Sequence, residues 1–278
     1  MKALFDNVSK ECSRLTTRTY STSFSLAILF LKKRMHNAIY AIYGFVRLAD
    51  EIVDSFHNYD RKKLLHDFRE ATDEALLEKI SLNPILNAFQ ATVHNYNIRK
   101  EWIDIFFKSM EMDLDKTNFT EHEYKTYIFG SAEAVGLMCL HVFTERDESL
   151  FDTLKPYAMK LGSAFQKVNF LRDMTADKTL LGRVYFPGVD FDDFCHQTKQ
   201  KIEAEIEGDF AEALKGIKLL PANSRNGVYL AYYYYMALFK KIKRLPPKKL
   251  LTKRIRIPNG EKIVLMIHSN LRHQFNLL

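Results

Sequence analysis

The stretch Ala164 to Asp177, AFQKVNFLRDMTAD, sets polar residues along one side of what otherwise reads as a buried helix. At 3.6 residues per turn Gln166, Asn169, Asp173 and Asp177 fall in one row, while Phe165, Val168, Leu171 and Met174 spread over the remaining surface. Two carboxylates therefore stand one turn apart on one face. In an isolated helix such a like-charge pair is unfavourable by roughly 0.2 to 0.5 kcal/mol, and Asp is a mediocre helix former, so local stability does not select the arrangement. It points instead to a cation. A hard divalent ion such as Mg²⁺, with Mn²⁺ able to stand in, takes one or two carboxylates together with waters and phosphate oxygens, and an i,i+4 Asp pair plus a bound diphosphate would supply them.

The device recurs earlier, in YAIYGFVRLADEIVD, where Tyr40, Tyr43, Arg47, Asp50 and Asp54 lie on one helix face. A single Asp-x-x-x-Asp pair is most simply two solvated charges. Two such pairs, each in an apolar helix and each beside an arginine, Arg47 and Arg172, are harder to read that way. Facing each other across a bundle, they would bind divalent ions that in turn hold a diphosphate, whose leaving charge the metal stabilises. The carbocation left behind needs a dry cavity walled by aromatic rings, since water would trap it as an alcohol and ring faces stabilise positive charge by about 0.5 to 2 kcal/mol.

The elements that must position these residues are helices. Gly and Pro number only 10 and 7 in 278 residues, and no Pro precedes Pro84, so long helices are expected in one all-α domain over 1–278. The pattern predicts two short helices in 1–31, parted near Thr16 to Tyr20 with Ser21, Thr22 or Ser23 as caps, then an Asp helix over 33–56 and a charged helix from Arg61 to Leu77. Asn83-Pro84 opens the next helix, and Glu101 to Leu114 follows, with Met110 and Asp113 read as core and rim. Thr120-x-x-Glu123 is a capping box for a long helix through His141, which carries a small-residue strip, Gly130, Ser131, Ala132, Ala134 and Gly136, suited to close approach by another helix or a ligand. The second Asp pair rides on a helix from Glu148 to Lys178, and Gly182 and Pro187 turn the chain. One or two helices within Asp190 to Leu219, a tyrosine-rich helix from Val228 to Leu245, an extended linker and a final helix from about Gly260 complete the chain.

Composition narrows the partners. A net charge of +7, concentrated among the lysines and arginines between Lys240 and Arg256, suits phosphorylated substrates or a lipid surface, and no nucleic-acid motif accompanies it. Cys12, Cys139 and Cys195 form no C-x-x-C, which argues against a zinc site or a disulfide framework. The first residues lack an apolar signal core, and no uninterrupted apolar run has the length of a membrane span. A cytoplasmic location is expected, with peripheral contact at the inner face of the membrane.

Four blocks, YSTSFSLA (Tyr20 to Ala27), AIYGFVRLADEIVD (Ala41 to Asp54), YIFGSAEAVG (Tyr127 to Gly136) and QKVNFLRDMTADKTLLGRVYFP (Gln166 to Pro187), resemble in order and spacing the signatures of the squalene/phytoene synthase family. The resemblance implies a helical bundle of the isoprenoid synthase type with a central cavity. It also implies head-to-head joining of two isoprenyl diphosphates through a cyclopropyl diphosphate. Carried over by position, Asp50, Asp54, Asp173 and Asp177 would hold Mg²⁺, and Arg47 and Arg172 would pair with diphosphate oxygens. Ser21, Ser23, Gln166 and Asn169 would line the polar end, Phe24 belongs to the same block as the serines, and Tyr43, Tyr127 and Tyr185 would stand near the leaving group and cations. Arg254 would reach a diphosphate. Glu51 and Ala176 depart from the Asp and Glu that relatives commonly carry at these positions.

The wording of the first Asp block resembles bacterial phytoene synthases more than squalene synthases, so the expected reaction is geranylgeranyl diphosphate to phytoene through prephytoene diphosphate. Squalene or dehydrosqualene from farnesyl diphosphate is the alternative, and NADPH is expected only for squalene. Two other classes share parts of the pattern: a class I terpene cyclase, which shares the spacing of Asn169, Asp173 and Asp177, and a di-iron carboxylate protein, half of whose motif is mimicked by Asp54-x-x-His57 and Asp193-x-x-His196. A catalytically silent binding protein is the last alternative.

Overall fold

Sparse Gly and Pro leave the chain free to run as helix, and in the computed structural model it does so almost throughout. The structure describes residues 1–190 and 193–274, except the side chains of Asn259, Leu271, His273 and Gln274. Thirteen α-helices follow one another among the described residues: α1 Lys2–Tyr20, α2 Thr22–Leu29, α3 Lys33–Asp54, α4 Arg61–Glu78, α5 Pro84–Tyr96, α6 Lys100–Asp115, α7 Glu121–Ile128, α8 Ala134–Thr144, α9 Glu148–Leu181, α10 His196–Leu219, α11 Ala222–Lys243, α12 Pro247–Leu250 and α13 Asn259–Gln274. There is no strand among them; the one sheet-like contact is an isolated bridge between Asn118 and Val184. The all-α expectation holds, and so does the preference for an extended linker over a hairpin before the last helix.

The helix starts obey local chemistry. Ser21 caps α2, its hydroxyl accepting from the Phe24 N–H at 3.2 Å, so the break falls one residue beyond the predicted window. Asn83 caps α5 with Pro84 in the first turn, and Thr120 and Glu123 form the reciprocal capping box of α7. The predicted long helix through His141 is present, with one irregularity. Between α7 and α8 the backbone widens into a π-helical turn, Phe129–Glu133, although the helical path from Glu121 to Thr144 stays continuous. By length and composition that 24-residue path would suit a membrane span, although Glu133 interrupts its apolar run, and its buried side chains, among them Ala134, Leu137 and Met138, belong to the protein core.

Small residues set the closest approaches. A Cβ on Gly130 would lie 2.5 Å from the Ile105 carbonyl oxygen of α6, and one on Gly162 would lie 2.7 Å from that of Ala132. The small-residue strip therefore brings α6 and α9 against the π turn. Much of the phenylalanine content is structural: Phe45 stacks on Phe89 at 3.9 Å with Phe68, Phe106 and Phe107 around it, which locks α3 to α4, α5 and α6. On the other side of α3 lies open space.

Candidate active site

That space is a cavity of about 920 Å³, at the upper end of the range for small-molecule pockets. It runs along α9, whose lining residues extend from Leu154 to Leu181. Leu154 and Asp173 are 19 residues apart, which at 1.5 Å per residue places the carboxylate about 28 Å from the far end. The lining residues exposed to solvent, Tyr20, Ser55, His57, Leu180 and Arg254, all stand at the carboxylate end, so that end is the mouth. Leu31, Leu140, Leu154, Ile217 and Leu220 close the opposite end and are buried.

Five aspartates gather at the mouth. Asp50 and Asp54 come from the last turns of α3, Asp173 and Asp177 from α9, and Asp113 from the end of α6; all five line the cavity. The two predicted pairs thus converge. The second pair feels the first: burial pushes the Asp177 carboxyl up to about 8, with Asp173 and Asp54 adding to the effect, while burial together with its own neighbour Asp54 pushes Asp50 up to about 7. Among the described residues neither the Asp50 nor the Asp177 carboxylate has a hydrogen-bond or ion-pair partner.

Arg183 ties three of these elements together. The left-handed Gly182 ends α9 and lets the Arg183 N–H reach back to the Asp177 carbonyl at 2.9 Å, which turns the arginine inward. Its Nη1 donates to Asp54 Oδ1 at 2.7 Å and to the Tyr185 hydroxyl at 3.2 Å, and its Nη2 donates to the Asp113 carbonyl at 2.8 Å. Tyr185 in turn donates to Asp113 Oδ1 at 3.0 Å, and Tyr127 to Asp113 Oδ2 at 2.7 Å. Burial pushes Asp113 up to about 7, with Arg183 opposing and Asp54 reinforcing. Asp113 is therefore the anchor of the aromatic wall, not the rim residue its sequence suggested.

The remaining arginines are held on carboxylates. Arg172 grips Asp173 through Nε at 3.0 Å and Nη2 at 2.6 Å, and Arg254 approaches the same carboxylate at 2.7 Å. The extended segment carrying Arg254 is strapped to α9 by Thr175 Oγ1 donating to the Leu250 carbonyl at 2.8 Å and by the Ile255 N–H reaching the Arg172 carbonyl at 3.4 Å. Arg47 pairs with Glu51, the departure in the first block, lies over the Tyr20 ring at 4.2 Å, and keeps a buried Nε without a partner. Ser21, Phe24, Tyr43, Gln166 and Asn169 line the same end, and the Tyr235 hydroxyl, donating to Asn169 Oδ1 at 3.2 Å, fixes that amide. Ser23 is the exception: it does not line the cavity. Residues on a helix three apart can share a face and residues two apart cannot, so Ser21 and Phe24 turn inward and Ser23 away.

A profile of the squalene/phytoene synthase family matches residues 17–261. The chain belongs to that family. It is 29% identical over 266 residues to a chloroplastic phytoene synthase of Narcissus pseudonarcissus, covering 87% of this chain and 60% of the relative, so it spans about three fifths of that protein's length. A phytoene synthase of Arthrospira platensis is 24% identical over 290 residues, covering 95% of this chain and 93% of the relative. Among solved structures, a dehydrosqualene synthase in complex with a ligand superposes with a TM-score of 0.83 at 22% identity, covering 97% of this chain and 98% of the other. A squalene synthase from Alicyclobacillus acidocaldarius gives 0.75 at 22%, covering 86% and 94%. The fold is that of this helical class.

Within a squalene/phytoene synthase fold, the residues the sequence failed to single out are Asp113 and Arg183. Asp113 follows Trp102, Ile103, Phe106, Phe107, Ser109 and Met110 on the buried face of α6, and a charge in that row was the signal. Arg183 stands in an irregular segment, where periodicity has nothing to report. Of the di-iron pattern, His57 lines the mouth, whereas Asp193 and His196 do not reach the cavity.

Proposed function

We propose that this chain is a head-to-head prenyl synthase that joins two geranylgeranyl diphosphates into phytoene. The observation that carries the reading is the pairing of two unneutralised carboxylates, Asp50 and Asp177, with the mouth of a closed apolar tunnel. A prenyl chain lies along α9 toward Leu154 and its diphosphate stays at the mouth, where Arg47, Arg172 and Arg254 present guanidinium forks matched to phosphate oxygens. Phytoene synthases among the relatives support the longer substrate. The structural likeness to a dehydrosqualene synthase favours farnesyl diphosphate as the second reading.

The residues present fit Mg²⁺. The donors are carboxylate oxygens alone, Asp50, Asp54, Asp173 and Asp177, and at Asp50 and Asp177 burial and like charge outweigh the opposing arginines. Among the described residues no three His, Cys, Asp or Glu side chains close into a cage for an ion. That suits an ion that completes its shell with water and phosphate oxygens. When bound, Mg²⁺ would stabilise the negative charge on departing diphosphate.

The first half of the reaction breaks an allylic C–O bond and the second the C–O bond of the cyclopropyl intermediate; each releases one diphosphate and ends in the loss of one proton from carbon, so phytoene needs no reductant. Squalene would need a hydride donor in place of the second proton loss. The protein's own contribution is to orient and to exclude water. Phe165, Phe170, Tyr43 and Tyr185 offer ring faces along the tunnel below the mouth, and Tyr127 donates its proton to Asp113, so its oxygen turns lone pairs, not a proton, toward the cavity. Chromatography of the hydrocarbon formed from C15 and C20 diphosphates with Mg²⁺, with and without NADPH, tests the proposal. A C40 product formed from the C20 substrate irrespective of NADPH is expected; a C20 cyclic product, or turnover of the C15 substrate alone, would overturn it.

A further inference from the structure

The last helix is apolar on two opposite sides. Leu265 and Met266 of α13 pack against Ala27, Leu230 and Tyr234 of α2 and α11. Ile263, Val264 and Ile267 share the other face and are 50%, 64% and 54% exposed. Three branched aliphatic side chains clustered on a solvent-facing helix surface are not explained by the fold, which is already satisfied from the inner side.

What surrounds this face is strongly basic. Between Lys240 and Gln274 the sequence has eleven Lys and Arg and a single acid, Glu261. Lys240, Arg244, Lys248, Lys249, Lys253 and Arg256 are exposed, and none has an ion-pair partner among the described residues. They lie at one end of α13: Lys241 Nζ donates to the Arg256 carbonyl at 2.9 Å, which draws the end of α11 against the residues that lead into α13. The same end is fastened beside the cavity mouth. Lys262 Nζ donates to Thr22 Oγ1 at 2.5 Å, and Thr22 follows the lining residue Ser21.

We infer that the outer face of α13, with its basic rim, is a docking surface for an anionic lipid bilayer. An apolar strip flanked by Lys and Arg is what an interfacial helix needs: the aliphatic residues enter the acyl boundary and the cations meet the headgroups. A second copy of the chain is disfavoured as occupant, because two faces of the same strong positive charge would repel. Docking there sets the cavity mouth close to the lipid, where an apolar substrate or product passes without crossing water. The lipid contact itself does not depend on which reaction the cavity performs.

Sedimentation with phosphatidylcholine vesicles, with and without phosphatidylglycerol, tests the proposal on the full chain. Binding is expected to be at least tenfold tighter with phosphatidylglycerol and to weaken as salt is raised. Ile263→Glu/Ile267→Glu and, separately, Lys248→Glu/Lys249→Glu are each expected to weaken it by roughly tenfold or more. The lysine pair is fully on the surface, and circular dichroism melting confirms folding of both variants. Equal partition of wild type and variants, preference for neutral vesicles, or no binding would overturn the assignment. So would a lower particle mass of the isoleucine variant in lipid-free light scattering, which would make a second copy the occupant.

Discussion

Helix α9 carries two charge clusters on different faces, and they are balanced differently. At its seam with α10, Lys167 is buried against Asp209 at 2.6 Å and also meets Glu205, while Lys160 reaches Asp209 at 2.9 Å. Every charge there has an opposite. At the cavity mouth the cations are spent on some carboxylates: Arg172 and Arg254 on Asp173, Arg183 on Asp54, Arg47 on Glu51. Asp50 and Asp177 are left over. A seam that only holds helices together closes its own electrostatics, whereas a site that takes a ligand leaves the closing charge to the ligand.

Substitution should separate the two clusters with opposite signs. Asp50→Asn and Asp177→Asn are expected to lower turnover about a thousandfold or more while leaving the melting temperature unchanged or higher, since each removes a repulsive charge and no partner. Product assay and calorimetry on the same preparations read both effects. Asp209→Ala should do the reverse, costing about 1.5 to 3 kcal/mol of unfolding free energy because the buried Lys167 loses its buried partner and keeps only the half-exposed Glu205, with turnover per folded molecule retained. A fall in stability for Asp50→Asn, or a stable Asp209→Ala, would break the comparison.

Smaller changes sharpen it. Tyr127→Phe deletes the hydroxyl that donates to Asp113 Oδ2, and a hydrogen bond to a carboxylate of this kind is worth about 1.5 to 3 kcal/mol in denaturant unfolding. The last effect lies away from both clusters and depends on pH. His141 is buried, stacks on Phe151 at 4.1 Å, and burial pushes it down to about 4. Between its ordinary value near 6.5 and about 4 the unfolded chain takes up a proton that the native chain refuses, so this residue lowers stability as pH falls through that window. In His141→Phe that contribution disappears, and melting curves of the variant should gain on wild type as pH drops from 7 to 4.

The parts of this arrangement written in periodic sequence were legible. Asp50, Asp54, Asp173 and Asp177 keep helical spacing, and two faces so marked can be matched without coordinates. Capping at Asn83 and Thr120 is local chemistry and could be read directly. The π-helical turn at Phe129–Glu133 is a tertiary effect, produced where Gly130 lets α6 come close, and no local propensity encodes it. Ser23 was carried along with its neighbours because a block of letters does not say which side of α2 each residue takes. Asp113 and Arg183 acquire their roles through each other and through Asp54, Tyr127 and Tyr185, contacts between segments up to 129 positions apart. Their charge balance, which distinguishes the mouth from the seam, is a sum over four elements and was invisible from any one.

Whether the leftover charge at the mouth is closed by metal and diphosphate together can be measured with Mn²⁺ as a paramagnetic stand-in for Mg²⁺, titrated into the protein with and without inorganic diphosphate and followed by electron paramagnetic resonance. The expected result is weak Mn²⁺ binding to the protein alone, strong binding once diphosphate is present, and loss of that gain in Asp50→Asn and in Asp177→Asn. Binding of equal strength with and without diphosphate, or a gain untouched by both substitutions, would contradict it.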